Sequence, residues 1–414
     1  MVLAIAAGCL LGLVSGMVPG IHVNTLAAML VSLSALITTQ YDVLAIVVLC
    51  AAVVHSFVSI VPSMLLGAPD PDTALAVLPG HRLLLEGRGI EAIRLSALGS
   101  LCSAVLGIAL APAFVLFLLM GYPALLDHMG LLLLGVMVVM VVSERPSTGS
   151  ALAAVVKATC ILVLSGVLGV LALKGGEVMY TQADAVLMPL LTGLFGAPLL
   201  IESVLTPPPS IPPQTSAAEG IEGRRTLRGV LTGTAAGALV SWMPGVSASV
   251  GTLLTRLLLS RGELNRMDDA REYMVSISGV NTSDVVFSLL TLYVAHRSRS
   301  GAMVAIEQLF PPTMWSPPYV VALMLSLMVA SLVGYTATIR LGAMLLRTLY
   351  RIRLRTLTLG TLAFLLMLVA VLTGAFGIVV FLSAIPVGLL CGTLGVRRSN
   401  TMGVLLIPAT LYFL

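Results

Sequence analysis

The sequence contains few charged residues for its length. Only 10% of its 414 residues are Asp, Glu, Lys or Arg, whereas hydrophobic residues make up 58%. Soluble domains carry about 25% charged residues. This shortage excludes a soluble globular protein and indicates an integral membrane protein. At about 20 residues per span, the chain is long enough for roughly ten to twelve transmembrane helices.

The cysteines are too few and too dispersed for a redox or metal-binding function. They stand singly in apolar segments, without a Cys-x2-Cys pair or a cluster with histidine: Cys9, Cys50, Cys102, Cys160 and Cys391. Single cysteines in apolar segments are typical of small buried side chains. We therefore predict neither disulfides nor metal ligands.

Enzyme signatures are also absent. The sequence has no GxSxG, HExxH, P-loop or GxGxxG pattern, each of which would carry a defined chemistry. We predict no enzymatic activity and no cofactor; a membrane-embedded hydrolase that uses His22 or His55 is an alternative. The apolar N-terminus lacks a charged region and a convincing cleavage site, so we do not predict a signal peptide.

A helix of spaced small residues that ends in Pro-Gly occurs twice, at an offset of 225 residues. Small residues at every fourth position let a neighbouring helix approach closely, and Pro-Gly ends a helix. Broken apolar segments at matching places in two halves point to the substrate site of a transporter. The alternative is a pair of Pro-kinked structural helices. The two copies are Gly8, Gly12, Gly16, Pro19-Gly20 and Gly233, Gly237, Ser241, Pro244-Gly245.

These breaks divide the chain into two similar halves. We predict a first transmembrane repeat at 1–205, a Pro-rich cytoplasmic linker at 206–228 and a second repeat at 229–414. The predicted fold class is an all-α polytopic membrane protein with two inverted-topology repeats. Each repeat would hold one Pro-Gly-broken re-entrant hairpin and about five transmembrane helices, because an odd number of spans inverts the second repeat. The predicted spans are 43–66, 95–119, 125–142, 151–173, 184–203, 273–295, 319–339, 356–373, 375–395 and 399–414, with a charged loop at 81–94.

The arginines favour this topology, because basic residues concentrate in cytoplasmic loops. With re-entrant hairpins, the arginines within 82–94, 224–228, 261–271 and 347–355 fall on one side, together with Arg145 and Arg397-Arg398. If the hairpins fully span instead, the basic loops scatter to both sides. The exceptions are Arg297 and Arg299, which lie outside or in a cavity.

The Pro-Gly breaks predict an anion site near the middle of the membrane. Irregular backbone at membrane depth lies inside protein or beside water, and helix N-termini after the breaks would attract negative charge. Ordinary N-caps are the alternative for the short polar residues. The predicted substrate-binding residues are Pro19, Gly20, His22, Asn24, Thr25, Pro244, Gly245, Ser247, Ser249, Asn281, Arg297 and Arg299.

An intramembrane carboxylate predicts ion coupling. Asp284 follows Thr282 and Ser283 inside an apolar span, and such a residue is a functional candidate. Asp70 and Asp72 lie at the corresponding place in the first half. We predict a coupling cation, Na⁺ or H⁺. The alternatives are a structurally paired buried aspartate at 284 and turn residues at 70 and 72.

Several motifs resemble a known family. They include Gly12-x3-Gly16-x2-Pro19-Gly20, the run Ser63–Ala74 with its Gly-Ala-Pro-Asp-Pro-Asp core, Leu78-Pro-Gly80, Glu86-Gly-Arg88 and Ala97–Ser100. Together they resemble the tripartite tricarboxylate transporter permeases, the TctA-type large membrane subunit, most closely over residues 8–105. In this chain His22-Val-Asn-Thr25 replaces the family's usual small residues after Pro-Gly, and Asn281-Thr282 stands where paired asparagines are expected.

The resemblance implies ion-driven uptake of di- or tricarboxylates across the cell membrane by a multi-pass protein. It also implies two partners, a small membrane subunit and an extracytoplasmic solute-binding protein. A translocase for polyprenyl phosphate would need the same anion-binding helix ends and is the alternative function.

Overall fold

A computed structural model describes residues 1–18, 26–27, 30–31, 40–66, 77–144, 150–178, 183–205, 212–214, 223–243, 246, 248, 251, 267–349 and 354–414. Within these ranges the structure is almost entirely helical and has no strand. Sixteen longer helices are described: α1 (Val2–Met17), α2 (Tyr41–Val58), α3 (Ile60–Leu66), α4 (Val77–Leu85), α5 (Gly89–Ala109), α6 (Ala111–Leu126), α7 (Met129–Val142), α8 (Ala151–Val178), α9 (Ala183–Leu191), α10 (Ala197–Leu205), α11 (Gly223–Val240), α12 (Met267–Ala295), α13 (Gly301–Leu309), α14 (Pro317–Leu349), α15 (Leu354–Leu394) and α16 (Gly403–Phe413).

Six of the described helices are long and apolar enough to cross a bilayer. They are Tyr41–Leu65, Gly89–Ala109, Ala151–Gly176, Asp268–Ala295, Pro317–Thr348 and Thr373–Leu394. The α6–α7 pair, bent by 90°, adds a seventh if it forms one span. Shorter apolar helices include Val2–Met17 and Thr358–Val371. The chain is therefore a polytopic, all-helical membrane protein.

Two predicted boundaries in the first half are wrong. The predicted span 95–119 does not exist as one helix, because α5 ends at Ala109 and α6 begins at Ala111. Proline is favoured in a first helical turn, and Pro112 occupies that place in α6. The predicted charged loop at 81–94 is also mostly helical, with a tight turn at Gly87, whose φ of 77° suits glycine.

The second half shows one agreement and two differences. The predicted boundary between spans 356–373 and 375–395 coincides with Gly374, where φ is 63° inside α15. Residues 223–228, at the end of the predicted linker, belong to α11. The polar stretch at 296–318 contains α13, which the sequence did not predict.

The glycine ladder of α1 packs directly on α2. A Cβ at Gly8 would lie 2.5 Å from the Val47 carbonyl oxygen, and one at Gly12 would lie 2.6 Å from that of Ala51. Gly16 faces Val58 in the same way. Contact positions rise together along both helices, so α1 and α2 run parallel. The chain between them therefore returns to the end where α1 began.

The second ladder repeats this packing. A Cβ at Gly233 would lie 2.5 Å from the Ser276 carbonyl oxygen on α12, and one at Gly237 would meet Ser283 and Asp284. Here too the contacts rise together, so α11 and α12 run parallel. Helices approach this closely only where small residues leave room. The close contacts therefore fix the position of the chain just before each Pro-Gly break.

Two long helices lock these pairs together. On α5, Gly99 faces Val275 of α12 and Gly107 faces Val286, so α5 and α12 run parallel. On α14, the Ser326 carbonyl accepts a hydrogen bond from the Cys50 thiol of α2 at 3.7 Å, and Gly334 faces Phe57. Helices α14 and α2 therefore also run parallel. By contrast, Gly342 of α14 packs on Ile93 and Leu346 on Gly89, so α14 runs antiparallel to α5.

A second packing region is formed by α7, α8, α9, α15 and α16. In it, Gly169 of α8 meets the Val404 backbone, and Gly193, just after α9, meets that of Phe381. A buried carboxylate holds one end of this region. Glu144, after α7, pairs with Arg397 at 3.2 Å and accepts from the Asn400 amide at 2.8 Å.

Candidate substrate and ion site

The predicted site falls partly outside the described residues. The residues of both Pro-Gly breaks and their polar followers lie outside: Pro19, Gly20, His22, Asn24, Thr25, Pro244, Gly245, Ser247 and Ser249. Asp70 and Asp72 lie outside as well. The helices that lead into the breaks are described, and their ends locate where each break begins.

Each break begins beside the interior of a spanning helix. Gly16, near the end of α1, packs on Val58, seven residues before the end of the Tyr41–Leu65 span. Gly237, near the end of α11, packs on Ser283 and Asp284, well before Ala295. At 1.5 Å per residue, these contacts lie about 10 Å and about 16 Å from the ends of the two spans. Both ladders thus deliver the chain to membrane depth.

Asp284 is the acidic group at this depth on α12. The Ser288 hydroxyl, one turn further on, donates to its carboxylate at 3.2 Å. Asp284 is half-buried, and its backbone nitrogen borders Gly237 of the α11 ladder. The predicted coupling residue therefore lies directly where the second Pro-Gly helix packs.

The polar residues before Asp284 differ in their availability. Thr282 and Ser283 are fully buried and donate to carbonyls of their own helix, those of Ser278 at 3.3 Å and Gly279 at 2.6 Å. Because both hydroxyl hydrogens are donated, only the oxygen lone pairs of Thr282 and Ser283 remain to coordinate a cation. Asn281 is buried, and its amide oxygen has no hydrogen-bond partner among the described residues. Positions three and seven apart share a helix face, so Asn281, Asp284 and Ser288 form one polar stripe.

The two predicted arginines have different environments. Arg297 is exposed and stands two residues after the end of α12. Arg299 is partly buried and donates from Nη2 to the Tyr122 hydroxyl of α6. Burial lowers the pKa of Arg299 below its usual value; Tyr122 raises that pKa and Arg297 lowers it further.

The sequence suggested a role for His55 only in the alternative of a hydrolase, but the structure places it at a position equivalent to that of Asp284. Residues of α2 and α12 that make equivalent contacts with the two ladders are 229 positions apart in the sequence. The pairs are Val47 and Ser276, Ala51 and Val280, and Val54 and Ser283. The same spacing pairs His55 with Asp284. His55 is 4% exposed, and its Nδ1 lies 3.0 Å from the Ser15 hydroxyl of α1. No signal in the sequence indicates this correspondence, because the two helix pairs have connections of different length.

A buried ion-pair network joins three helices at one end of the bundle. Arg271 of α12 lies 2.7 Å from Glu91 of α5, and both side chains are under 10% exposed. The contact is an ion pair whose angle is not that of a hydrogen bond. Glu272 pairs with Arg225 and Arg228 of α11 at 3.8 and 3.5 Å. The prediction of a loop at 81–94 did not indicate this network, because it did not place Glu91 on a helix.

Metal-ligating side chains do not cluster in the part of the chain that the structure describes. No group of three or more His, Cys, Asp or Glu residues there could hold a metal ion.

A helical bundle with six or more apolar spans and polar groups at membrane depth defines a multi-pass membrane protein of the transporter type. The chain belongs to the tripartite tricarboxylate transporter TctA family, whose model matches residues 2–403. An uncharacterized protein of Methanocaldococcus jannaschii is 28% identical over 416 residues, covering 98% of this chain and 97% of that protein. No solved structure matches.

The match confirms the family and the membrane location that the sequence motifs indicated. The family is the integral membrane permease of tripartite transport systems, and its members are components of transporters. The family model matches residues 2–403, so the resemblance covers nearly the whole chain and not only residues 8–105.

Proposed function

We propose that this protein is a secondary active permease for an organic anion, a di- or tricarboxylate, driven by a Na⁺ or H⁺ gradient. The anion binds at the two Pro-Gly breaks near mid-membrane, and a small membrane subunit and an extracytoplasmic solute-binding protein assist. The family match supports the class of substrate and the partners. The packing of the helices supports the mechanism.

The observation that carries the proposal is the relative direction of the two ladder pairs. Helix α2 runs parallel to α14, α12 runs parallel to α5, and α5 and α14 run antiparallel. It follows that α2 and α12 point in opposite directions. This arrangement supports inverted repeats, in which the substrate site lies between equivalent broken helices and one repeat moves against the other.

The parallel packing within each pair supports re-entrant segments. Val2 and Tyr41 begin helices at the same end of the first pair, and Gly223 and Met267 do so in the second. A break that crossed the membrane once would put these starts at opposite ends. The alternative of two fully spanning broken segments is therefore less consistent with the packing.

The polar groups at membrane depth support ion coupling. Asp284 in one repeat and His55 in the other hold equivalent positions beside their glycine ladders. Intramembrane ionisable residues mark ion and proton pathways. We assign Asp284 as the coupling carboxylate, with Thr282, Ser283 and Asn281 as supporting oxygens.

A binding measurement on the purified chain tests the function, because uptake may require the partner subunits. Citrate and related acids are compared with a polyprenyl phosphate by isothermal titration in detergent, with and without Na⁺ and at two pH values. We expect saturable binding of a di- or tricarboxylate that depends on Na⁺ or H⁺. Binding of polyprenyl phosphate alone would identify a lipid-phosphate translocase, and turnover of either compound would identify a hydrolase.

A further inference from the structure

Three interruptions in the helices meet around one tyrosine. Tyr122 lies near the end of α6, just before the 90° bend between α6 and α7. The Tyr122 ring lies 6.4 Å from that of Trp242, edge to face. Trp242 follows the end of α11 and stands two residues before Pro244-Gly245 in the sequence. Arg299 reaches the same tyrosine from the extended stretch after α12.

Tyr122 and Trp242 are buried, and the partly buried Arg299 beside them has no acidic partner among the described residues. Tyr122 is 5% exposed and Trp242 is 4% exposed. Among the described residues, the buried Arg299 Nε has no hydrogen-bond partner and the guanidinium forms no ion pair with a carboxylate. A guanidinium removed from water is normally paired with an acidic group, because an unpaired charge there is unfavourable.

The charge at this place suits an anion. Arg297, two residues away in the sequence, adds a second positive charge close enough to lower the pKa of Arg299. A planar guanidinium offers five donors in a rigid fork, and carboxylates accept two of them side by side. One Nη2 donor of Arg299 is directed to Tyr122, which leaves the Nε edge for a ligand.

We propose that Tyr122 is a positioning residue that holds Arg299 to receive one carboxylate of the transported anion, with Trp242 as the apolar wall of this subsite. The inference rests on the proposed function and adds a binding partner from the first repeat, α6, to a site otherwise built from the breaks. The hydroxyl fixes the guanidinium plane, and the indole excludes water from one side.

The structure offers a direct optical probe. The chain has two tryptophans, Trp242 and Trp315. Trp315 lies in a separate aromatic cluster, where its ring stacks on Tyr293 and its nitrogen donates to the Phe310 carbonyl at 2.9 Å. A Trp315→Phe background therefore leaves Trp242 as the sole tryptophan, which can be excited selectively over the tyrosines and lies two contacts away from the Arg299 guanidinium.

The first experiment titrates this single-tryptophan protein with citrate, and separately with inorganic phosphate. We expect saturable quenching by citrate, its loss in Arg299→Gln, and a roughly tenfold weaker dissociation constant in Tyr122→Phe, equivalent to about 1.4 kcal/mol. Tyr319→Phe is the matched control, because it also removes one tyrosine hydroxyl bond, to the Asp42 carbonyl at 2.8 Å. This control should leave citrate binding unchanged.

The second experiment measures citrate uptake into proteoliposomes that contain the chain and its partner subunits. Tyr122→Phe should raise KM about tenfold and change kcat less than twofold, and Arg299→Lys should not restore the wild-type KM because an ammonium lacks the fork. If Tyr122→Phe and Arg299→Gln both bind citrate as tightly as the wild type, the subsite is overturned while the proposed transport function stands. Arg299-dependent binding of phosphate alone would support an anion site but contradict the carboxylate function. A signal unchanged by either anion would overturn the subsite.

Discussion

At the scale of the residue, the proposed ion coupling can be tested at a single side chain. Asp284 is the clearest case, because its carboxylate accepts from Ser288 at 3.2 Å and borders the α11 ladder. Asp284→Asn keeps the accepting oxygen and removes the charge. We expect the variant to fold and to lose the dependence of uptake on the Na⁺ or H⁺ gradient.

Initial uptake rates with and without each gradient measure this effect, and thermal unfolding in detergent checks the fold. Asp127→Asn is the matched control, since Asp127 is an exposed aspartate at the α6–α7 bend. Uptake in Asp284→Asn that still follows the gradient would show that another residue couples the ion.

Buried and exposed ion pairs in this chain should differ sharply in their contribution to stability. Glu91→Gln removes the buried carboxylate 2.7 Å from Arg271 and leaves that guanidinium only the exposed Asp268 at 2.9 Å. Complete loss of pairing for a buried charge costs about 3 to 5 kcal/mol, so this variant should lose a large part of that. Glu86→Gln disrupts the exposed Arg82–Glu86 pair at 3.2 Å, which is worth about 1 kcal/mol or less. The unfolding temperature should therefore fall clearly in the first variant and little in the second. Equal shifts would mean that water reaches the α5–α12 contact.

At the scale of the helix, the glycine ladders make a specific prediction about packing. Gly237→Ala places a Cβ 2.9 Å from the Val280 carbonyl oxygen and the Asp284 nitrogen, and Gly12→Ala places one 2.6 Å from the Ala51 oxygen. Backbone atoms cannot yield to such contacts, so α1 or α11 must shift. We expect both variants to unfold at lower temperature and to lose transport.

Gly135→Ala is the control, because nothing lies within 4 Å of a Cβ at that helical position. Alanine is favoured over glycine in a helix by about 1 kcal/mol, so this variant should be neutral or slightly stabilised. A similar loss of stability in all three variants would mean that the ladders are not close-packing sites.

The ladders could be predicted from the sequence because their signal is local. A four-residue period of small side chains identifies a contact face without knowledge of the partner, and Gly374 likewise marked the break in α15. Contacts between distant segments carried no such signal. Tyr122 and Arg299 are 177 positions apart, and nothing near either residue names the other. The correspondence between His55 and Asp284 was hidden by connections of unequal length.

The whole molecule has one end where the cationic side chains gather. Arg88, Arg225 and Arg271 meet around Glu91, Asp269 and Glu272. Gln214 of the predicted linker accepts a hydrogen bond from the Gly89 nitrogen at 2.8 Å, so residues 212–214 lie at this end as well. The opposite end holds the start of α2, where the Tyr319 hydroxyl bonds to Asp42. Basic residues favour the cytoplasmic side, so the Arg-rich end is expected inside and both termini outside.

Cysteine labelling with an impermeant reagent tests this orientation. In a background without the five native cysteines, Gln40→Cys probes the start of α2 and Ser216→Cys probes the linker. Since α1 and α2 begin at the same end and Gln214 lies beside Gly89 at the other, we expect the two engineered cysteines to be accessible from opposite sides of the bilayer. We expect intact cells to label Gln40→Cys, and Ser216→Cys to react only after permeabilisation. External labelling at Ser216 would reverse the orientation, and labelling of both sites from one side would contradict the antiparallel repeats on which alternating access depends.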